Sequence, residues 1–336
     1  MSKYLREEKG SVTVILLVLV LVFFAGMSVL VTQQGAVYLT KSRMQNAVDA
    51  AALAGAQDLA EDSTGVKARQ AAALYLGKNG VNVPDDYSPS LDTKDTITEI
   101  PDTVILEVKD SLGLNYSKIF VSATREVPPG LAKIFGGATK DVTATAVVQI
   151  KPITGMNGLA PMGCLETECI FNGLEVTLKC NALTDIPTTN GTKWRGWIRL
   201  DDEQGAGYAD VIEDGCITPV DIGQYWNTQT GVVNAKPIKD VIMDLVDGCT
   251  HECTASSYVD GCPRIVYLPV VETDDSTGEA VFSGSKVKIA GFAAFILTDY
   301  YEDQFIKGYF IRDVTGGEVS TGGGSDYGLY TGKLIQ

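Results

Sequence analysis

Apolar residues fill almost every position from Ser11 to Thr32 (SVTVILLVLVLVFFAGMSVLVT), with no charged side chain among them. At about 1.5 Å per residue, such a run crosses a hydrocarbon core of roughly 30 Å as a single helix. The pattern then changes without a break. YLTKSRMQNAVDAAALAGAQDLA, ending at Ala60, keeps strong helix formers but exchanges bulk for alanine. Ala47, Ala51 and Gly55 fall four apart, as do Ala52, Ala56 and Ala60, so two ridges of small side chains run along the helix. Such ridges admit close neighbours, either other rods or the chain's own domain. A rod from Ser11 to Ala60 is about 75 Å long.

Glu61-Asp62-Ser63-Thr64-Gly65 breaks the helix, and VKARQAAALYLGKNG (66–80) reads as a second helix ended by Gly80, suited to an antiparallel pair with the first. Alternating, β-branched runs follow at 103–108 (TVILEV), 118–127 (KIFVSATREV) and 141–150 (DVTATAVVQI), with PPGLAKIFGG as a short helical or loop excursion. Pro and Gly interrupt KPITGMNGLAPMGC, which sets a domain boundary near residue 151. Beyond it RIVYLPVVE (264–272) and KVKIAGFAAFILT (286–298) flank the turn-rich DDSTGEA as a hairpin, and KGYFIRDV (307–314) follows. GTKWRGWIRL reads as a strand edge, and TGGEVSTGGGSDYG as part of a flexible tail. The expected class is α+β. Its parts are a cytoplasmic N-terminus (1–10), a transmembrane helix (11–32), a helical rod with a small α+β domain (33–150), a β-rich domain (151–314) and a Gly-rich tail (315–336).

The apolar stretch exceeds the roughly 7–15 residues of a signal-peptide core and has no small-x-small cleavage pattern just beyond it, so an uncleaved signal-anchor is expected. Lys3, Arg6 and Lys9 precede the span and favour an N-terminus inside, while Lys41 and Arg43 on the other side weaken that asymmetry. The remainder is expected outside the cytoplasmic membrane.

Charge is uneven. The first 150 residues carry 14 Lys plus Arg against 16 Asp plus Glu, whereas the remaining 186 carry 13 against 26. An acidic outer half argues against nucleic acid as a partner. All seven cysteines, Cys164, Cys169, Cys180, Cys216, Cys249, Cys253 and Cys262, lie in that half, as disulfides in an exported domain would require. The odd number leaves one over, and spacing does not give the connectivity.

Chemistry is sparse. CTHEC (249–253) would place Cys249, His251 and Cys253 on one face of a strand, and with Cys262 would offer four ligands of the kind zinc favours. The spacing is not a Cys-x-x-Cys knuckle, so the expectation is no metal and no cofactor, with zinc at these four residues as the alternative. His251 is the single histidine, and GGGSDYG lacks the second glycine of a nucleophile elbow, so no enzyme and no small-molecule substrate is expected. Asp201-Asp202-Glu203, Asp274-Asp275 and Glu302-Asp303 lack EF-hand spacing and read as solvated turns rather than calcium ligands. Trp194, Trp197 and Trp226 read as core aromatics, with a sugar or partner platform as the alternative.

EEKGSVTVILLVLVLV followed by YLTKSRMQNAVDAAALAGA resembles the N-terminal region of TadE/TadG-like proteins of tight-adherence (Flp) pilus systems. The likeness covers about residues 6–60 and loosens through residue 150, where FGGATKDVTATAVVQI still fits. It implies a minor pilin-like or assembly component in the cytoplasmic membrane, working with a small major pilin, a membrane platform and other pilin-like proteins. Members cut by prepilin peptidase carry Gly at the cut and Glu five residues later. Here Gly10–Ser11 offers the glycine of such a cleavage site, but Ile15 stands at the fifth position, which puts processing there in doubt. The metal site that some larger TadG proteins build on an Asp-x-Ser-x-Ser motif is not carried over to this chain. The expected role is assembly or anchoring of the pilus; the alternative is a surface adhesin or ligand-binding module on the same anchor.

Overall fold

The computed structural model describes residues 8–60, 64–112, 115–180, 185–202, 207–229, 235–302, 305–319 and 324–335. Helix α1 (Glu8–Leu59) runs unbroken through the apolar stretch and the alanine-rich segment. Neither part contains proline, and both favour helix, so nothing in the covalent chain marks where one ends. Helix α2 (Val66–Lys78) pairs with the end of α1 and finishes just before Gly80, whose φ of 79° supplies a left-handed exit.

Strands β1 (Lys94–Glu99), β2 (Asp102–Leu112), β3 (Asn115–Val127) and β4 (Lys140–Pro152) form an antiparallel meander. In β4 every second residue from Val142 to Ile150 is buried, so one face of the sheet lies against α1. The core between them joins Met44, Val48 and Leu59 of α1 to Leu106, Ile119, Val121 and Val148 of the sheet. Two ion pairs fasten its edge. The buried Arg69 guanidinium donates to the Asp95 carboxylate (2.8 Å), the Ser90 carbonyl (2.9 Å) and the Gly65 carbonyl (3.1 Å). Arg125 donates to both oxygens of the fully buried Asp102 carboxylate, which also accepts the Asn82 N–H at 2.7 Å.

The remainder contains β5 (Gly155–Met156), β6 (Cys164–Leu165), β7 (Val176–Lys179), α3 (Tyr208–Asp214), β8 (Val220–Asp221), β9 (Tyr225–Asn227), α4 (Ala235–Asp247), β10 (Ile265–Val271), β11 (Phe282–Ser283), β12 (Lys286–Tyr301), β13 (Phe305–Ile311), β14 (Asp313–Val314) and β15 (Leu329–Leu334). A second sheet has the order β6-β10-β12-β13-β7, with β9 and β11 also pairing β12. Its central strand is covered on both faces. Phe292, Ala294 and Ile296 enter one core, while Ala293, Phe295 and Leu297 enter the other, which is why this run is apolar throughout instead of alternating.

The class is α+β, with a long apolar N-terminal helix, a few further helices and a β-rich C-terminal region. The pairing of β10 with β12 matches the expected hairpin. Two local expectations differ, and two elements have no counterpart among the expectations. The end of the supposed flexible tail is β15, antiparallel to β4 from Tyr330↔Pro152 to Leu334↔Val148 and parallel to β14, so the chain returns to the first sheet. Leu329 and Tyr330 are buried there, and the glycines before them hide a short apolar strand. GTKWRGWIRL is not a strand; single bridges from Trp194, Trp197 and Ile198 lead into a 3-10 turn at Leu200–Asp202. Strand β1 went unread because KDTITE buries one side chain, Ile97, and so carries almost no apolar signal. Helix α4 went unread because Pro237 looks like a breaker, although proline is tolerated in a first turn.

Candidate functional site

Helix α1 is divided by its surroundings. Val12 to Val31 present exposed apolar side chains, among them Leu16, Leu19, Phe23, Phe24 and Leu30. Among the described residues this is one helix long and apolar enough to cross a membrane, and none of its most apolar stretch is buried within the protein. Residues 33–43 form an exposed or half-exposed stem, with Tyr38 at 74% and Leu39 at 56% exposure. From Met44 onward the helix enters the folded body. The Gly10–Ser11 peptide lies inside the helical segment, which begins at Glu8, and Ile15 is exposed.

The small-residue ridges lie wholly within that body. Ala47, Ala51, Ala52, Ala56 and Ala60 are buried, and Gly55 fits so tightly that a Cβ would stand 2.4 Å from Ile119 Cδ1 and 2.7 Å from the Ala68 carbonyl oxygen. The ridges are therefore occupied by α2 and the first sheet, not held open for other rods. Of the two readings that small side chains permit, the chain's own domain takes the surface. On the helix's remaining side Leu53 is exposed.

The CTHEC segment follows α4 as a tight turn, not a strand. The Cys253 N–H donates to the His251 carbonyl at 2.9 Å, and this fold-back gathers the side chains. Ligand atoms of Cys249, His251 and Cys253 all lie within 4.8 Å of one another, and Cys262 Sγ lies 3.3 Å from Cys249 Sγ. Cys253 and Cys262 are buried, Cys249 is half-buried and His251 is exposed. Desolvation opposes ionisation of Cys249, but the Cys262 thiol, the His251 backbone and Cys253 outweigh it and bring its pKa down to about 6. Burial pushes the Cys262 thiol up to about 11.

All seven cysteines carry free thiols, with Cys164 and Cys169 3.6 Å apart. Burial, then Cys169 and Glu168, push the Cys164 thiol far above its ordinary range. The carboxylate clusters act as turn pins. Asp201 accepts the N–H groups of Ile217 (2.6 Å) and Thr218 (2.8 Å), and Asp274 accepts those of Ser276 (2.9 Å) and Thr277 (3.1 Å). Glu203 and Asp303 lie outside the described residues. Trp194 and Trp197 are fully buried and Trp226 is half-buried, so the three do not make an exposed aromatic platform. Sequence reasoning missed the Arg69–Asp95 and Arg125–Asp102 pairs, since single charges in polar segments give no signal of burial.

Helix α1 is a candidate membrane span in its apolar part and continues directly into an α+β body. Residues 10–58 match the family model described as putative Flp pilus-assembly TadE/G-like. Over its apolar stretch, stem and docked helix the chain is thus similar to Flp pilus-associated TadE/G-like proteins. No curated protein and no solved structure matches it.

Proposed function

We propose that the chain is a minor pilin-like or assembly and anchoring component of Flp pili. Residues 11–32 hold it in the cytoplasmic membrane, with its N-terminus inside and the folded body outside. The observation that supports this most is the division of α1. Its first part needs an apolar environment that the protein does not provide, and its last part is a core element of the body. No flexible linker separates them, so the body stands at a set distance and orientation from the bilayer. The stem of residues 33–43 spans about 16 Å as helix.

Lys3, Arg6 and Lys9 before the span support the inside placement of the N-terminus. The acidic outer half suits a soluble exterior and disfavours nucleic acid. With the small-residue ridges already covered, the span and stem are the surfaces left for other pilin-like or Tad assembly proteins. No reaction is assigned.

The reading is tested by photocrosslinking in intact cells from an unnatural residue at Tyr38 or Leu39, compared with one at the exposed Ile217 on the body. Adducts with pilus-system proteins from the stem and not from Ile217 support it. A stem that yields none, in cells that assemble pili, counts against it.

A further inference from the structure

The segment joining α4 to β10 is organised around sulfur. We propose that Cys249, His251, Cys253 and Cys262 bind one Zn2+ ion as a closed Cys3His site that fixes this segment against β10. This inference stands apart from the pilus reading, since it uses none of the residues of α1.

Geometry carries it. A tetrahedral ion with Zn–S bonds of about 2.3 Å holds its sulfurs about 3.8 Å apart. Cys262 and Cys249 stand 3.3 Å apart, and the donor atoms of Cys249, His251 and Cys253 lie within 4.8 Å of one another. Cys249 and Cys262 then need to part by about 0.5 Å, and the first three donors to close by no more than about 1 Å, with Cys262 as the fourth ligand. Cys253 and Cys262 are buried and Cys249 half-buried, while His251 is the solvent-exposed donor of the set.

The backbone around the donors is already fixed. Cys249 N–H donates to the Val246 carbonyl at the end of α4 (3.3 Å), Cys262 N–H to the Val259 carbonyl (3.0 Å), and Ile265 N–H to the Cys262 carbonyl (2.9 Å). Arg264 donates to the Cys253 carbonyl at 3.3 Å and to the Leu297 carbonyl of β12 at 2.6 Å. It therefore ties the cluster to the second sheet and sets a positive charge beside it. Partners of this kind orient metal ligands from the outer shell.

On binding, all three cysteines ligate as thiolates, any proton still on sulfur passing to solvent, and the neutral imidazole gives a lone pair. The ion stays Zn2+, and the site carries one net negative charge. The chemistry of three thiolates and an imidazole suits this ion. A disulfide explains less of the arrangement, because pairing any two of the sulfurs strands the third beside the bond. A two-iron cluster requires its end ligands to stand farther apart than these do.

The test uses the full chain in mild detergent, purified without chelator or added metal. Metal content, Co2+ absorption after metal stripping, and non-reducing peptide mapping are measured together. The proposal expects about one zinc per chain and a tetrahedral thiolate-Co2+ spectrum. Co2+ affinity should fall by at least about tenfold in Cys253→Ser and in His251→Ala, a loss that removal of an outer-shell partner alone can produce. His251→Ala alters an exposed side chain and keeps the test valid if Cys253→Ser does not fold. Cys169→Ser, outside the cluster, should keep the metal. A disulfide within the cluster, a chain that takes up neither metal, or zinc retained in both cluster variants would overturn the proposal.

Discussion

Gly55 of α1 lies so close to Ala68 of α2 that a side-chain carbon added to the glycine would stand 2.7 Å from the Ala68 carbonyl oxygen. The alanine-rich helix thus serves its own domain first. Gly55→Val forces the two helices apart and should cost about 2–3 kcal/mol, while Leu53→Ala on the exposed side should change stability by under about 0.5 kcal/mol. Urea unfolding of both variants checks the contrast. Equal stabilities would mean that α1 is not docked through this face.

Asp95 links the α2 and β1 region to pH. Burial raises its pKa, but hydrogen bonds from Ser90 and Tyr87 and the charge of Arg69 outweigh burial and hold the carboxyl below its ordinary value. A folded-state pKa below the unfolded one contributes stability that is complete above the unfolded value. That stability is lost as pH falls through the folded value. Unfolding free energy should therefore decline below about pH 4. In Asp95→Asn the part of that decline due to this residue should vanish, at the cost of lower stability near neutrality. Denaturation at a series of pH values shows whether the acid limb flattens.

Strand β15 fills a gap between β4 and β14, and its Leu329 and Tyr330 enter different cores. Removing residues 329–336 should expose the Val148–Pro152 edge of β4 and destabilise the first sheet, whereas trimming a true tail would do nothing. Limited proteolysis distinguishes these outcomes. Rapid cleavage between β2 and β4 in the truncated chain is expected, and protection equal to that of the full chain would contradict the assigned topology.

The two buried tryptophans differ in their polar atoms. Trp194 Nε1 donates to the Trp197 carbonyl at 3.0 Å, whereas Trp197 Nε1 has no hydrogen-bond partner among the described residues. Trp194→Phe loses ring volume and one of the two hydrogen bonds to that carbonyl, which keeps the Gln229 N–H at 3.1 Å, while Trp197→Phe loses volume but no such bond. Trp194→Phe should be the more destabilising by about 1 kcal/mol, as measured by chemical denaturation.

Elements with strong, local signals were legible in the sequence. The apolar run, the alanine-rich helix, the alternation of β4 and the β10–β12 hairpin follow from periodicity alone. The partner of the small-residue ridge did not, because a ridge specifies close approach and not what approaches; α2 and Ile119, 64 residues beyond Gly55, decide that together. β15 was hidden behind glycines, and its role depends on an edge left open by β4. At the cysteine cluster, residue types and proximity in sequence were visible. A strand was assumed, yet it is the turn at His251 that gathers CTHEC, with Cys262 brought in from beyond it.

The central claim is that this chain anchors or assembles Flp pili from the membrane. Its most direct test is to count surface pili by electron microscopy in cells lacking the protein, beside cells complemented with it. The account predicts loss of pili in the first and recovery in the second. Normal piliation without the protein would contradict an assembly role, and impaired attachment by those cells would point to the body as an adhesin.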